Sequence, residues 1–513
     1  MSKSMWDVIV IGSGMGGMVA AAALSRVGKR VLLLEQYSAL GGLTHSFSRD
    51  GFGWDAGIHY LGGFAPGGPE QTMLDWLADS PIEMAPVGPV YDTLHIGKTL
   101  PLQLSRPVEA QKLDLKERFP GEAKAIDAWF DAVERGHDAA MSIMHARAMP
   151  ELLGKGLTWW KRRSIDRWCG RTTAEVISEI TDNAELAAVL AAQWGCFGGR
   201  PGQASFAMHA MVIGYYLDGA YYPVGGAGVI AERILPTISS AGGEARAGVT
   251  VDSFYLEGDR VAGVTTSSGE AIYASAVVST MGARETVEML NPIDPEHRAW
   301  ADDVLELQPN LCHFSLLLGF SGDIEAAGAS KSNHWLYPSG EVDVTWTSAP
   351  EDPPPAMFAS FASLKDPSHD PGPELKHSGE LIVLTEWSTV AQWVDHAPED
   401  RGADYQAFKH KVEDAMFLQF RNYFPALAEL VVFRKLSTPL DTADITGHKQ
   451  GAFYGLEVTP RRILSNTLRM KTPLKGLYLA GQDALTPGIP GAMWGGLLCA
   501  ASIDPKVFSH LGS

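Results

Sequence analysis

The first forty residues constrain this chain more than any other stretch. An apolar run over 7–11, short enough for a buried parallel strand, meets Gly12, Gly14 and Gly17 in a G-x-G-x-x-G turn, and residues 15–25 then carry the small-residue pattern of a helix. The three glycines serve different ends. Gly12 permits the tight bend, Gly14 lets a pyrophosphate approach the backbone, and Gly17 lets the helix close onto the strand. The helix N-terminus thereby aims its free N–H groups at phosphate. A second apolar run over 30–34 delivers Glu35, eighteen residues past Gly17, with Gln36 following it. There a carboxylate accepts the hydroxyls of an adenosine ribose. Strand, glycines, helix, strand and acid in register describe a dinucleotide-binding βαβ unit.

The chain continues with a glycine pair, Gly41 and Gly42, six and seven residues past Glu35, and with the hydroxyls of Thr44 and Ser46. This pair lets another backbone segment close over the pyrophosphate, an extension that resembles the flavoprotein amine-oxidase and carotenoid-desaturase superfamily and points to FAD. The other end of the chain carries matching features. An apolar run at 476–481 ends in Gly481 and leads to Asp483, whose carboxylate is expected to bind ribityl or phosphate groups. A helix opening near Gly491 and Met493 can meet the anionic edge of a reduced flavin with its N–H groups. Val251, Thr280 and Gly282 complete the expected cofactor contacts. No cysteine stands between 486 and 495, so noncovalent binding is expected, and no second G-x-G-x-x-G suggests a separate nicotinamide domain. An external electron donor or acceptor is not identified.

Composition narrows the partners. A net charge of −19 disfavours nucleic acid, whose phosphates need a basic face. The four cysteines fall at long, irregular spacings, which fits a reducing compartment and argues against zinc or a disulfide frame. A cytoplasmic protein with no leader, no membrane span and no metal is expected. One local reversal stands out: residues 147–171 hold seven Lys or Arg against two acids, with Trp159 and Trp160 followed by Lys161, Arg162 and Arg163. A basic aromatic segment of this kind can seat in the headgroup layer of a membrane, which predicts peripheral contact there.

Along the chain, 47–60 reads as strand and turn, 71–191 as a helical cap, and 247–275 as an antiparallel meander feeding a buried strand at 276–280. Mixed strands and loops with a helix over 405–420 follow, and a helix to 503 closes the chain. The fold class is therefore α/β, a Rossmann-like FAD-binding domain interleaved with an α+β substrate domain. The expected FAD domain takes 1–70, 222–300 and 440–513; the substrate domain takes 71–221 and 301–439.

Five stretches carry a more specific likeness: Gly-Ile-His-Tyr at 57–60, Ser-Phe-Ala-Met-His-Ala at 205–210, Lys-Asp-Pro at 365–367, Gly-Ala-Phe-Tyr-Gly at 451–455 and Leu-Tyr-Leu-Ala-Gly-Gln-Asp at 477–483. With them the chain resembles the retinol saturases, within the phytoene desaturase and carotenoid isomerase group. It departs at Val224, where the family usually has a basic residue before the Gly-Gly that follows Tyr-Pro. The resemblance implies FAD-dependent chemistry on carbon–carbon double bonds of a long apolar polyene, with saturation first and desaturation or isomerisation as the alternative. A non-catalytic prenyl or lipid carrier is a third reading, opposed by the intact glycines and acids. Saturation needs a proton donor beside the substrate. Tyr454 is the first candidate, because a neutral phenol tolerates an apolar pocket; His59, which also counts among the expected cofactor contacts, His209 and Glu386 are the others.

Overall fold

The computed structural model describes residues 5–290 and 293–511. Its first sheet is built on the strand Trp6–Ile11, flanked in parallel by Val31–Leu34 and by the long strand Ala271–Ser279. Val8 sits opposite both Val31 and Ala276. Glu244–Arg246 extends the sheet on one side, and Leu477–Leu479 pairs in parallel with the far end of Ala271–Ser279. The antiparallel strands Val251–Glu257 and Arg260–Thr266 complete it, as the expected meander. Val8 and Val10 pack on one side with the opening helix, while Ile9 and Ile11 pack on the other with Val261 and Leu477. Burial on both faces is why the central stretches, residues 8–11, 31–34 and 276–278, are apolar throughout rather than alternating.

A second sheet runs in the order Val431–Ser437, Cys312–Ser321, Lys376–Thr385, Met357–Ser360, Asn333–Tyr337, Val90–Ile96 and Leu102–Ser105. Its strands alternate with period two. Phe314, Leu316, Leu381 and Val383 face a core shared with Val412, Met416 and Phe420 of the helix Gly402–Tyr423. Their neighbours His313, Ser315, Glu380 and Ile382 face the other way, into a cavity. The expectation of a wholly helical stretch over 71–191 is corrected here, because Met84–Pro86, Val90–Ile96 and Leu102–Ser105 are strands. The β-branched and aromatic run Val90, Tyr91, Thr93, Ile96 favours a strand, but Asp92, fully buried within it, breaks the apolar pattern by which a buried strand is recognised. Helices from Val108 to Ala191 form the cap, and the buried Arg147 ties them to the C-terminal part by donating to the carbonyls of Arg462 and Ile463, each at 3.1 Å.

The helices Met15–Arg26 and Ile489–Ile503 cross almost backbone to backbone. A Cβ on Gly16 would lie 2.5 Å from the Gly481 Cα, and one on Gly496 would lie 2.3 Å from the Gly16 carbonyl oxygen. At Gly17 a Cβ would meet the Gly12 oxygen at 1.9 Å. Gly17→Ala should therefore cost about 1–3 kcal/mol through overpacking against unyielding backbone. A lowered urea midpoint with an unchanged slope is the expected result.

Candidate functional site

One cavity of about 920 Å³ runs from the glycine turn to the second sheet. At the near end it is lined by Gly12, Gly14, Glu35, Gln36, Gly42 and Thr44, and by Thr280, Gly481 and Gln482 from the neighbouring strand ends. The helix Met15–Arg26 starts there with no side-chain cap, and the helix Ile489–Ile503 starts on the same cavity, also uncapped, through Gly488, Ile489 and Pro490. Two helix N-termini with their positive dipole ends on one cavity suit an anionic ligand.

The residues fit a dinucleotide. A Cβ placed on Gly14 meets nothing within 4 Å, so this glycine leaves free the space a side chain would fill beside the uncapped helix. Gly42, at φ +54°, lies so close over the turn that its Cβ would be 2.7 Å from the Gly14 Cα, which brings the second glycine segment onto the first. Glu35 is held ready by the Ser13 amide at 2.8 Å, the Ser13 hydroxyl at 2.7 Å and the Tyr37 amide at 2.9 Å. Val249 and Val251 offer an apolar wall alongside it.

The far end is apolar, with Leu317, Trp335, Tyr337, Phe358, Ile382 and Leu384 on its walls. Polar groups are few. Glu380 accepts a hydrogen bond from the Ser315 hydroxyl, and its Oε2 lies 3.8 Å from the His59 Nδ1. Such a distance would suit an ion pair, but burial pushes the two groups in opposite directions. Desolvation, with the Lys365 and His313 charges, lowers His59 to about 3, while desolvation, aided by Asp55, raises Glu380 to about 8. At 3.8 Å no hydrogen bond offsets the cost of separating charge in an apolar wall, so the neutral imidazole and the neutral acid are the forms present at pH 7. Behind this pair the buried Lys365 donates to Asn333 Oδ1 and Ser360 Oγ. Burial lowers its ammonium to about 7, and raises the Asp92 carboxyl, which accepts from Tyr60 and Gln193, to about 7.

Of the residues nominated from sequence, Gly12, Gly14, Glu35, Gln36, Gly42, Thr44, His59, Val251, Thr280, Gly481 and Tyr454 line the cavity. Thr44 has committed its hydroxyl proton to the Gly41 carbonyl, and Thr280 donates to the Ile11 carbonyl. Gly17, Gly41 and Gly282 stand behind the lining as packing and turn positions; the Gly41 N–H donates to Ser13 Oγ at 3.0 Å. Five nominated residues are corrected. Asp483 does not face the cavity: it accepts from the amides of Ala283 at 2.8 Å and Leu456 at 3.0 Å, and so pins two backbone segments together. Gly491 and Met493 turn inward from the helix start, Met493 into the core, and Gly488 to Pro490 and Ala492 present the helix instead. His209 is a core histidine, fully buried between Trp129 and Phe197, with Nε2 on the Leu190 carbonyl at 2.9 Å. Glu386 follows the end of its strand, outside the cavity. Ser46, also read as a phosphate contact, donates instead to Asp55.

Glu380 is missing from the sequence nominations because the apolar run that signals its strand begins one residue later, at Leu381. Counted from Lys376, where the strand begins, the same period of two places Glu380 on one face with Ile382 and Leu384. Among the described residues no group of three or more His, Cys, Asp or Glu could hold a metal ion.

The chain matches the flavin containing amine oxidoreductase family over residues 15–354. All-trans-retinol 13,14-reductase of Homo sapiens is 30% identical to it over 97% of this chain and 85% of its own length. Chloroplastic prolycopene isomerase of Daucus carota is 23% identical over 96% of this chain and 79% of its own. Among solved structures, an oxidoreductase from Methanosarcina mazei aligns with a TM-score of 0.63 at 18% identity, covering 96% of this chain and 99% of that one, a likeness of fold.

The open space at Gly14 generates a test. Gly14→Ala has an ordinary backbone conformation, φ −61° and ψ 173°, so the protein should fold with stability within about 0.5 kcal/mol of the parent. Its affinity for FAD, measured by calorimetric titration of the flavin-free protein, should fall about tenfold or more, ~1.4 kcal/mol.

Proposed function

The chain belongs to the flavin containing amine oxidoreductase family and is an FAD-dependent oxidoreductase; we propose that it reduces carbon–carbon double bonds of a long apolar polyene. The observation that carries this reading is the continuity of one cavity from a dinucleotide cradle to an apolar chamber floored by a sheet. Gly14, Glu35, Gly42 and Gln482 would hold FAD at one end, with the N-terminus of the helix Ile489–Ile503 beside them. When bound and reduced, FAD supplies two electrons and one hydrogen to a double bond.

The chain's own residues supply the surroundings. Trp335, Tyr337, Phe358, Ile382 and Leu384 offer apolar and aromatic surface to a conjugated chain and exclude water from it. An amine substrate is poorly served, because the acid on the chamber wall, Glu380, is raised to about 8 by burial and offers no charge to an ammonium at neutral pH. Tyr454 lines the wall with its ring 4.0 Å from that of Phe453, and burial pushes its phenol well above 10, which weakens it as an acid and leaves it a contact that orients the polyene.

Isomerisation is the second reading, favoured by the prolycopene isomerase likeness. The two are separated by mass. Chemically reduced holoenzyme, incubated without oxygen with retinoids and carotenoids, should return product two hydrogens heavier. Product of unchanged mass would instead assign the isomerase reaction.

A lipid-soluble substrate must be collected from a lipid phase, and we propose that the helix Glu151–Trp160 and the turn after it rest on an anionic membrane. Leu152, Trp159 and Trp160 are 86%, 75% and 72% exposed. Lys161 stands over the Trp160 ring at 4.9 Å, with Lys155, Arg162 and Arg163 also exposed. Arg147, counted in this patch from sequence, is buried and belongs to the core contacts described above. No helix among the described residues is long and apolar enough to cross a membrane. The four cysteines are free thiols, which supports a reducing, cytoplasmic setting for this peripheral contact. The protein should float with anionic vesicles at low salt, each cation contributing about 1 kcal/mol, and should be released by salt and by joint Trp159→Ala and Trp160→Ala substitution.

A further inference from the structure

The polyene reading leaves the source of the proton open, and the cavity wall narrows it to one group. Glu380 leaves the strand Lys376–Thr385 on the cavity side, flanked on the same face by Ile382 and Leu384. Its Oε1 is taken by the Ser315 hydroxyl from the adjacent strand, where Ser315 is paired with Ile382 and Leu317 with Glu380 itself. The other oxygen, Oε2, has no hydrogen-bonding partner among the described residues closer than His59 Nδ1 at 3.8 Å. Both His59 and Ser315 line the same cavity. A carboxyl group with one oxygen anchored and the other directed along an apolar wall is arranged to hold a proton toward whatever occupies the chamber.

We propose that Glu380 is the acid that protonates the substrate double bond. This rests on the polyene-reducing reading. The two electrons and one hydrogen that one carbon of the double bond gains would be supplied, as hydride, by bound reduced FAD. The Oε2–H bond breaks, its proton forms a C–H bond at the neighbouring carbon, and Glu380 is left as carboxylate with FAD oxidised. Water returns the proton to Glu380, and an external two-electron donor re-reduces FAD.

The other titratable groups of this wall are poorly matched to proton donation. His59 and His313, lowered by burial to about 3 and about 4, are unprotonated at neutral pH. Tyr454, Tyr216 and Cys196 are all pushed upward by burial, and Tyr60 has given its hydroxyl hydrogen to Asp92. Glu380, raised to about 8, stays protonated at pH 7 yet is acidic enough to give the proton up. The groups that face it are Ser315 and His313 from one side, His59 and Asp55 from the segment before Tyr60, Ser360 from the next strand, and Lys365 behind Ser360.

Glu380→Gln keeps the shape and the Ser315 contact while removing the proton. Single-turnover oxidation of the reduced holoenzyme by the polyene that the wild type reduces best should slow about 100-fold or more in this variant, with the flavin spectrum and polyene affinity retained. In the wild type the rate should be level below pH 8 and fall above it as Glu380 ionises. Ser315→Ala, which removes a hydrogen bond that favours the carboxylate, should move this fall to higher pH. Independently of turnover, infrared spectra at pH 7 should show a buried carboxylic-acid carbonyl band that is absent from Glu380→Gln. A Glu380→Gln rate within threefold of wild type, an infrared band unchanged by the substitution, or a pH limb unmoved in Ser315→Ala would each overturn the assignment. A wild type that reduces no polyene would overturn the functional reading itself, and the assignment with it.

Discussion

Everything in this molecule hangs on one close crossing of backbones. Gly16 and Gly17 on the opening helix and Gly495 and Gly496 on the closing helix leave no room for a Cβ at their contacts, among them the backbone of Gly481 after the last strand. The first and last segments of the chain are therefore held at van der Waals distance. Two helices about 470 residues apart in sequence open on the same cavity as a result. Larger residues at these positions would separate the two helix starts and with them the two halves of the cradle.

Desolvation is the second constraint, and it acts mainly through the other sheet. The face that looks into the cavity carries Glu380, Ser315 and His313 among apolar neighbours, with Lys365 and Asp92 in the layer behind. Burial moves each ionisable member toward its uncharged form: His59 and Lys365 downward, Glu380 and Asp92 upward. A chamber with little fixed charge is what a long conjugated hydrocarbon requires, since every ion on its wall would have to be stripped of water without compensation. The groups are tuned as a set. Lys365 contributes to lowering His59 as Asp55 contributes to raising Glu380, so the wall remains close to neutral around pH 7.

The dinucleotide unit was legible from the sequence because all its parts are local. Gly12, Gly14, Gly17 and Glu35 fall within one βαβ unit, where period and spacing state geometry directly, and the strands and meander of the same sheet announced themselves by apolar runs and glycine turns. Legibility failed where a residue's role depended on distant partners. Asp483 follows the last strand as a ribityl ligand would, but the amides of Ala283 and Leu456 claim its oxygens. His209 sits in a stretch by which the chain resembles the retinol saturases, yet its helix buries it against Leu190. Arg147 opens a basic stretch and is drawn instead into the core by the carbonyls of Arg462 and Ile463.

By itself the sequence determined the cofactor class and the α/β architecture, since both follow from short-range periodicity and from glycines whose backbone geometry no other residue tolerates well. Only the tertiary structure decided which side chains face the substrate. Glu380 and Glu386 share one strand parity, and nothing local separates them. Pairing with the strand Cys312–Ser321 sets the first beside Ser315, and the approach of a loop more than 300 residues away sets it beside His59, while the second lies past the last paired residue, Thr385. A strand's alternation divides its residues into two faces; which face becomes the wall of a cavity is settled by what packs against it.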